Sequence, residues 1–247
     1  MKILTGTSGF SYDEWKGEFY PARITGKEML RYYSARFRTV EVNNTFYRMP
    51  TERLLTSWAE EVPDGFIFAM KAPRVITHVK GLKDVEEEMD HLFRMLSVLG
   101  ARLGPVLFQF PATFHVDPAV LEDHVDLIPP GHSCAFEFRS PSGLHPRIPD
   151  ILAGSGCTLC ISDSDENPVE MIPQVPWGYL RLRRGAYSEA GLSRWLEKIG
   201  SQDWNRAFVY FKHGEGAGSP GAAMRFDELV RNDRRPAVAG GTPGDGT

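Results

Sequence analysis

The chain has 247 residues, with 42% hydrophobic and 24% charged side chains, three cysteines and a formal net charge of -4. These values are typical of a soluble globular protein, and no apolar run of about 18 residues is present that could cross a membrane. Because proteins that hold nucleic acid through its phosphates are usually basic, nucleic acid is an open but not a favoured partner. The amino terminus has no signal-peptide pattern, which predicts a cytoplasmic protein.

Strand and helix patterns alternate along the whole chain. Apolar stretches predict strands at residues 3–7, 39–43, 66–73, 105–111, 134–139, 158–163, 178–183 and 207–212. Apolar side chains at helical spacing predict helices at residues 27–37, 54–62, 85–99, 118–127, 146–153, 192–199 and 222–230. Residues 164–176 are polar and rich in proline, so a long loop is predicted there instead of a full helix.

These alternations predict an α/β fold, a single-domain (β/α)8 TIM-type barrel over residues 1–235, whose usual length is roughly 250 residues. The last residues, 236–247, are rich in glycine and proline and are predicted to be a disordered tail. An open, doubly wound parallel sheet is the alternative fold. The loop after the first strand offers only Gly6 and Gly9, which is too little for the dinucleotide fingerprint, so no dinucleotide cofactor is expected.

Polar side chains stand near the carboxyl ends of seven predicted strands, and in a barrel these ends share one face. They are Glu41, Asn43, Lys71, Gln109, Glu137, Arg139, Asp163, Arg181, Tyr210 and Lys212. An internal ion-pair network would account for a few such residues. So many at one end of successive strands favour a polar pocket.

The charges in this pocket indicate two roles. Arginines and lysines would bind an anionic substrate, and Glu41, Glu137 or Asp163 would transfer protons. Lys71, if crowded by arginines, would lose its proton more easily and act as a base or nucleophile, although a neighbouring glutamate would oppose that.

A metal site is the competing interpretation of the carboxylates. The histidines lie mostly in predicted loops and helices and do not converge, which argues against a zinc or iron cluster. Cys134, Cys157 and Cys160 are expected to be buried thiols that serve packing. A magnesium site among the carboxylates stays open as an alternative, but no metal and no cofactor is predicted.

A glycine-rich loop, residues 214–221, follows the eighth predicted strand and opens a helix. Free backbone amides at the start of a helix suit an anion. The alternative is a mobile connector, since no complete phosphate-loop signature is present.

The chain closely resembles the domain of unknown function 72 family, also called YecE-like, over nearly its whole length. The motifs that carry the resemblance are Glu41-Val-Asn-Asn-Thr-Phe-Tyr47, Phe68-Ala-Met-Lys71 before Pro73, Gln109-Phe-Pro111, Glu137-Phe-Arg139, Asp163 and Tyr179-Leu-Arg181. The resemblance implies a (β/α)8 barrel and a polar pocket. The residues onto which it carries the pocket are Glu41, Asn43, Thr45, Tyr47, Lys71, Gln109, Glu137, Arg139, Asp163 and Arg181. It implies no established reaction. Arg183 and the pair Lys212-His213 depart from the family pattern, in which histidine and asparagines are frequent at these places.

The sequence thus predicts a barrel enzyme, a hydrolase, lyase or isomerase, acting on a small anionic substrate such as a sugar phosphate or a nucleotide fragment. The expected catalytic residues are Glu41, Lys71, Glu137 and Asp163. The expected substrate-binding residues are Asn43, Thr45, Tyr47, Gln109, Arg139, Arg181, Arg183, Tyr210 and Lys212. The alternatives are a nucleic-acid-processing barrel that stacks bases on Phe10, Tyr12, Trp15 and Tyr47, and a barrel that binds a ligand without catalysis.

Overall fold

The computed structural model describes residues 1–139, 145–163, 175–212 and 218–233. Eight parallel strands form one closed barrel in the order of the sequence, which confirms the predicted (β/α)8 fold. The strands are β1 (Lys2–Ser8), β2 (Thr39–Val42), β3 (Ile67–Lys71), β4 (Leu103–Gln109), β5 (Cys134–Glu137), β6 (Thr158–Asp163), β7 (Trp177–Leu182) and β8 (Arg206–Lys212). The barrel closes through β1 and β8, where Gly6 is paired with Tyr210.

Seven α helices surround the barrel in the described part of the chain. They are α1 (Gly26–Ser34), α2 (Glu52–Glu61), α3 (Glu86–Leu96), α4 (Pro118–Asp126), α5 (Ile148–Gly154), α6 (Glu189–Gly200) and α7 (Gly218–Asp233). Within the described segments, none of the helices is both long and apolar enough to cross a bilayer. The loop predicted at 164–176 lies almost wholly outside the described residues, and the tail predicted at 236–247 lies wholly outside them.

Side-chain caps explain where several of the helices begin. The hydroxyl of Thr51 accepts a hydrogen bond from the backbone amide of Leu54 at the start of α2, and Ser188 does the same for Gly191 at the start of α6. Each cap satisfies one of the amides that a helix leaves without an internal partner. Local sequence therefore determines where these two helices begin.

The buried side chains form two layers. The larger cluster fills the space between the sheet and the helices, with residues such as Leu92, Phe108 and Leu192. The smaller cluster lies inside the barrel and includes Leu107 and Tyr210. Because successive strand residues alternate between the two faces, every second residue of a strand points into the barrel.

Several strands end one or two residues earlier than predicted. Asn43 lies beyond β2 and precedes a short 3-10 turn at Asn44–Phe46. Arg139 and Arg183 likewise lie beyond β5 and β7. The residues after β3 form a π-helical turn at Val75–Val79.

We expect Gly6→Ala to destabilise the barrel strongly. A β carbon at Gly6 would stand 2.1 Å from the carbonyl oxygen of Thr39, and a backbone atom cannot move aside without breaking the pairing of β1 with β2. The expected loss of unfolding free energy is about 3 kcal/mol or more, measured by urea denaturation. Gly26→Ala is the matched control, because nothing lies within 4 Å of its position, and a loss there as large as at Gly6 would contradict the steric cause.

Candidate active site

Arg181 lies at the centre of a buried ionic cluster at the carboxyl end of the barrel. Its Nη2 donates to Oε1 of Glu41 over 2.9 Å, and its Nη1 donates to Oε2 of Glu137 over 2.5 Å. The same Nη1 reaches Oε1 of Gln109 at 3.3 Å. One guanidinium thus connects β2, β4 and β5 to β7, in the fork geometry that suits arginine and carboxylates.

Glu41 is completely buried, and both of its carboxylate oxygens are occupied. Besides Arg181, Oε1 accepts hydrogen bonds from Ser8 Oγ at 2.7 Å and from Asn43 Nδ2 at 3.1 Å. Oε2 accepts a bond of 2.7 Å from the hydroxyl of Tyr179. These donors satisfy the charged carboxylate, as a buried ionised group requires.

Glu137 is surrounded by three guanidinium groups. Besides Arg181, its Oε1 accepts from Arg139 Nε at 2.8 Å and from Arg183 Nη1 at 3.3 Å. Burial by itself raises the pKa of Glu137, but the charge of Arg181, followed by that of Arg139, outweighs burial and lowers the pKa to about 2. Glu137 is therefore a carboxylate throughout the neutral pH range.

Lys71 differs from the glutamates and the three arginines of the site because its ammonium has no hydrogen bond or ion pair with any described residue. Its Nζ lies 3.9 Å from the centre of the Phe46 ring, a cation–π contact. Burial, and then the charge of Arg181, lowers the pKa of Lys71 to about 8. Glu41 and Glu137 oppose this shift without cancelling it.

These groups line or underlie an open cavity of about 470 Å³, which we call the anion pocket. Its wall is formed by Ser8, Tyr12, Asn43, Phe46, Tyr47, Lys71, His78, Gln109, Arg139, Arg181, Arg183 and Lys212. The wall thus carries five cationic side chains, whereas the carboxylates of Glu41 and Glu137 lie beneath it. Burial and the neighbouring arginines, Arg183 first, lower the pKa of Lys212, which is the expected effect of crowded positive charge.

A larger cavity, of about 830 Å³, lies at the opposite end of the barrel, around the start of β1. Its arginines, Arg36, Arg38 and Arg231, are exposed. Active sites of (β/α)8 barrels lie at the carboxyl ends of the strands. The buried charges and the shifted pKa of Lys71 are also found there, so we take the anion pocket as the candidate active site.

Most of the residues expected at the site do come together. Asn43, Tyr47, Lys71, Gln109, Arg139, Arg181, Arg183 and Lys212 line the anion pocket, and Glu41 and Glu137 bind its arginines from below. Tyr47 stands at the rim with 83% of its surface exposed. The strand-end pattern in the sequence therefore located the pocket.

Asp163 does not line this pocket, which corrects its predicted place among the pocket residues. Cys160 belongs to the cluster inside the barrel, so Asp163, three positions later, points outward. There its carboxylate accepts bonds from Arg184 Nε at 2.6 Å, Trp195 Nε1 at 3.0 Å and the Tyr187 hydroxyl at 3.1 Å. Asp163 thus ties the end of β6 to α6 and to the loop before it.

Thr45 and Tyr210, which were expected to bind substrate, do not line the anion pocket. The Thr45 hydroxyl donates to the carbonyl oxygen of Lys71 and holds the turn after β2 against β3. Tyr210 is fully buried inside the barrel, where its hydroxyl shares a hydrogen bond of 2.7 Å with Thr39 Oγ1. Both residues support the pocket from outside it.

Four residues of the site were not among those expected to act there: Ser8, Phe46, His78 and Tyr179. Ser8 could have been predicted from strand alternation, because it lies at the end of β1 on the same inward face as Leu4. His78 could not, since it reaches the pocket only through the π-helical turn. Residues 214–217 of the predicted glycine-rich loop lie outside the described residues, as does His213, and residues 218–221 form the start of α7.

The described segments contain no group of three or more histidine, cysteine, aspartate or glutamate side chains that could hold a metal ion. The carboxylates nearest the pocket bind arginine instead. Cys134, Cys157 and Cys160 are free and buried.

Comparison with known proteins identifies relatives of the whole barrel. The family described as protein of unknown function DUF72 matches residues 4–244. The UPF0759 protein YunF of Bacillus subtilis is 32% identical over 233 residues, which is 86% of this chain and 79% of that protein. The UPF0759 protein YecE of Escherichia coli is 30% identical over 140 residues, 56% of this chain; the match spans about half of that protein's length, 49%.

A solved structure of a DUF72 family protein from Thermotoga maritima superposes with a TM-score of 0.84. It is 28% identical in sequence, and the match covers 94% of this chain and 100% of that one. The agreement extends over the complete barrel.

We expect Lys71→Met to be more stable than the natural protein at pH 7. Below pH 8 Lys71 is protonated in both the folded and the unfolded protein, so folding buries a charge. Between pH 8 and 10.5 the folded protein has lost this proton and the unfolded chain still holds it, so the natural protein becomes more stable as pH rises through this range. The advantage of the variant is at most about 3 kcal/mol and shrinks across that window. Urea denaturation from pH 7 to 10 measures it.

Lys27→Met, at an exposed position of α1, controls for the loss of one surface charge. A constant difference between Lys71→Met and the natural protein at every pH would contradict the depressed pKa.

We expect Glu137→Gln to be destabilised at pH 7 by about 3–5 kcal/mol, because three arginines lose a buried charged partner. The pKa of Glu137 is lowered, so its contribution is present above about pH 4.5 and is lost as pH falls toward 2. The difference from the natural protein should therefore be smaller at pH 3 than at pH 7 in urea denaturation. Glu122→Gln, in an exposed pair with Arg147, should change stability by less than about 1 kcal/mol; equal losses for both variants would refute the prediction.

Proposed function

The chain belongs to the DUF72 family of proteins of unknown function, and we propose that it is an enzyme that acts, without a metal ion, on a small anionic substrate in the anion pocket. The observation that carries the proposal is Lys71. Its amine has a pKa of about 8, has no charged partner among the described residues, and lines an open cationic cavity. Perturbed ionisable groups in a cleft mark active sites.

The charge of the wall supports an anionic substrate. The charge of Arg181 is compensated by Glu41 and Glu137. Arg139 and Arg183 both contact the second carboxylate oxygen of Glu137, Oε1. Lys212 has no ion pair in the described part of the chain. The pocket therefore keeps excess positive charge, which a phosphate group of a sugar phosphate or nucleotide fragment would neutralise.

Lys71 is the residue best suited to the chemical step. With a pKa of about 8, roughly a tenth of the molecules carry the free amine at pH 7. A free amine in a partly desolvated site acts as a general base or as a nucleophile toward a carbonyl carbon. Lyase and isomerase reactions use both roles, and a hydrolase would use the amine to activate water.

The two glutamates are better suited to positioning than to proton transfer. Glu137 is ionised far below neutral pH, and both oxygens of Glu41 already accept hydrogen bonds. Their shared contact with Arg181 fixes its guanidinium at the floor of the pocket. Because the guanidinium is already in position, it does not have to be rearranged when the substrate enters.

Binding without catalysis is the second candidate function. It is favoured by the saturated hydrogen bonding of Glu41 and by the low pKa of Glu137, which leave neither carboxylate of the cluster free to transfer a proton. A lysine that only binds an anion would, however, gain from a high pKa and not from a lowered one.

Reductive labelling tests the reactivity of Lys71. Pyridoxal 5′-phosphate carries an aldehyde and a phosphate; the amine forms an imine with loss of water, and borohydride reduces the imine to a stable secondary amine. At pH 7.5 we expect Lys71 to be labelled about tenfold faster or more than exposed Lys27, with protection by inorganic phosphate. Peptide mass spectrometry measures both rates.

Lys71→Arg should lose this labelling and any turnover found in a panel of sugar phosphates and nucleotides, while phosphate binding persists. Lys27→Arg should change neither. Equal labelling of Lys71 and Lys27 without protection by phosphate would rule out a reactive lysine in an anion site. Turnover unaffected by Lys71→Arg would rule out its catalytic role.

A further inference from the structure

A second cavity, of about 710 Å³, lies directly beside the anion pocket. Phe46 and Tyr47 belong to the walls of both, so the two cavities meet at these rings. We call the second one the side cavity. Its wall is more apolar than that of the anion pocket and includes Met49, Pro73 and Val79.

Two apolar side chains of the side cavity are unusually exposed. Tyr47 has 83% and Val79 63% of its surface open to solvent. The Tyr47 ring packs against Phe46 edge to face, with centroids 5.0 Å apart, so the contact supports it from one direction. An exposed, supported tyrosine at the mouth of a charged pocket is a surface on which a flat group can stack.

The segment between β3 and α3 shapes both cavities and has an irregular backbone. Its π-helical turn, Val75–Val79, places His78 in the anion pocket and Val79 in the side cavity. Leu82 and Asp84 follow with positive φ angles of 71° and 51°. π-helical turns and such strained residues are frequent at functional sites, where the surrounding structure maintains them.

Polar groups surround the apolar wall of the side cavity. Arg74, Glu87 and His91 provide donors and acceptors at its edge. An aliphatic chain could not form hydrogen bonds with these polar groups, whereas a nucleobase has two apolar faces and a hydrogen-bonding edge. The charge of the adjacent anion pocket also favours a nucleotide, because its phosphate would lie among the cationic side chains there.

We propose that the side cavity binds the base of a nucleotide whose phosphate occupies the anion pocket, with Tyr47 as the stacking surface. The inference rests on the proposed function and specifies its substrate class. Val79 lines the far wall against the base, and Phe46 separates the base from Lys71. A sugar phosphate without a base would fill the anion pocket alone.

Calorimetric titration with adenosine 5′-monophosphate and ribose 5-phosphate tests the proposal, since the two probes differ by the base. We expect adenosine 5′-monophosphate to bind about tenfold more tightly, in the range of one base–tyrosine stack. Val79→Glu should abolish that preference and change the affinity for ribose 5-phosphate less than about twofold. Tyr47→Ala should also reduce the preference, and Leu54→Glu, at an exposed position on α2, should leave it intact.

The results separate this inference from the proposed function. If ribose 5-phosphate binds and the base adds no affinity, or if Val79→Glu weakens both probes equally, the side cavity is not a base site, while the anion pocket stands. If neither probe binds the natural protein, both proposals are overturned. Retention of the full preference in Tyr47→Ala and Val79→Glu would place the base elsewhere and also overturn the inference.

Discussion

The bridge from Arg181 to two buried glutamates is the interaction on which the carboxyl end of this barrel depends. Glu41 and Glu137 stand on β2 and β5, which are not neighbours in the sheet. Without a cation between them, two carboxylates could not both stay ionised in a buried space. Arg181 makes the pair of carboxylates compatible with folding. It also fixes the distance between β2 and β5 at their carboxyl ends.

The bridge also determines which residues remain available for chemistry. Two carboxylates and one guanidinium leave one negative charge in excess, and Arg139 and Arg183 approach Glu137 to compensate it. Lys71 has no such carboxylate partner among the described residues, and its ammonium lies over the ring of Phe46 instead. In buried networks of this type the cost of desolvation offsets much of the Coulombic gain. The effect of this network is to hold one lysine in a partly desolvated, cationic surrounding.

The sequence predicted the barrel and most of its polar end because both follow from local patterns. Charged residues at the ends of apolar strands, such as Glu137 and Arg181, are rarely buried unless they are paired or line a polar pocket. The prediction that Asp163 lines the pocket was wrong, because a place near a strand end does not decide which face a side chain takes. Its position relative to Cys160 directs it outward. The position of His78 depends on a π-helical turn, and no periodicity in the sequence indicates one. The isolation of Lys71 depends on distances between strands, which no pattern contains.

The arrangement of charges also restricts how a substrate can use Lys71. An anion bound next to Lys71 would stabilise its protonated form and raise its pKa, which would remove the free amine. Lys71 stands on β3, and Arg183 and Lys212 belong to the ends of β7 and β8. In a closed ring of eight strands β3 and β7 lie opposite each other. A phosphate held by Arg183 and Lys212 is therefore kept across the barrel from the amine, so the pocket can attract an anion through one side while the pKa of Lys71 stays lowered on the other.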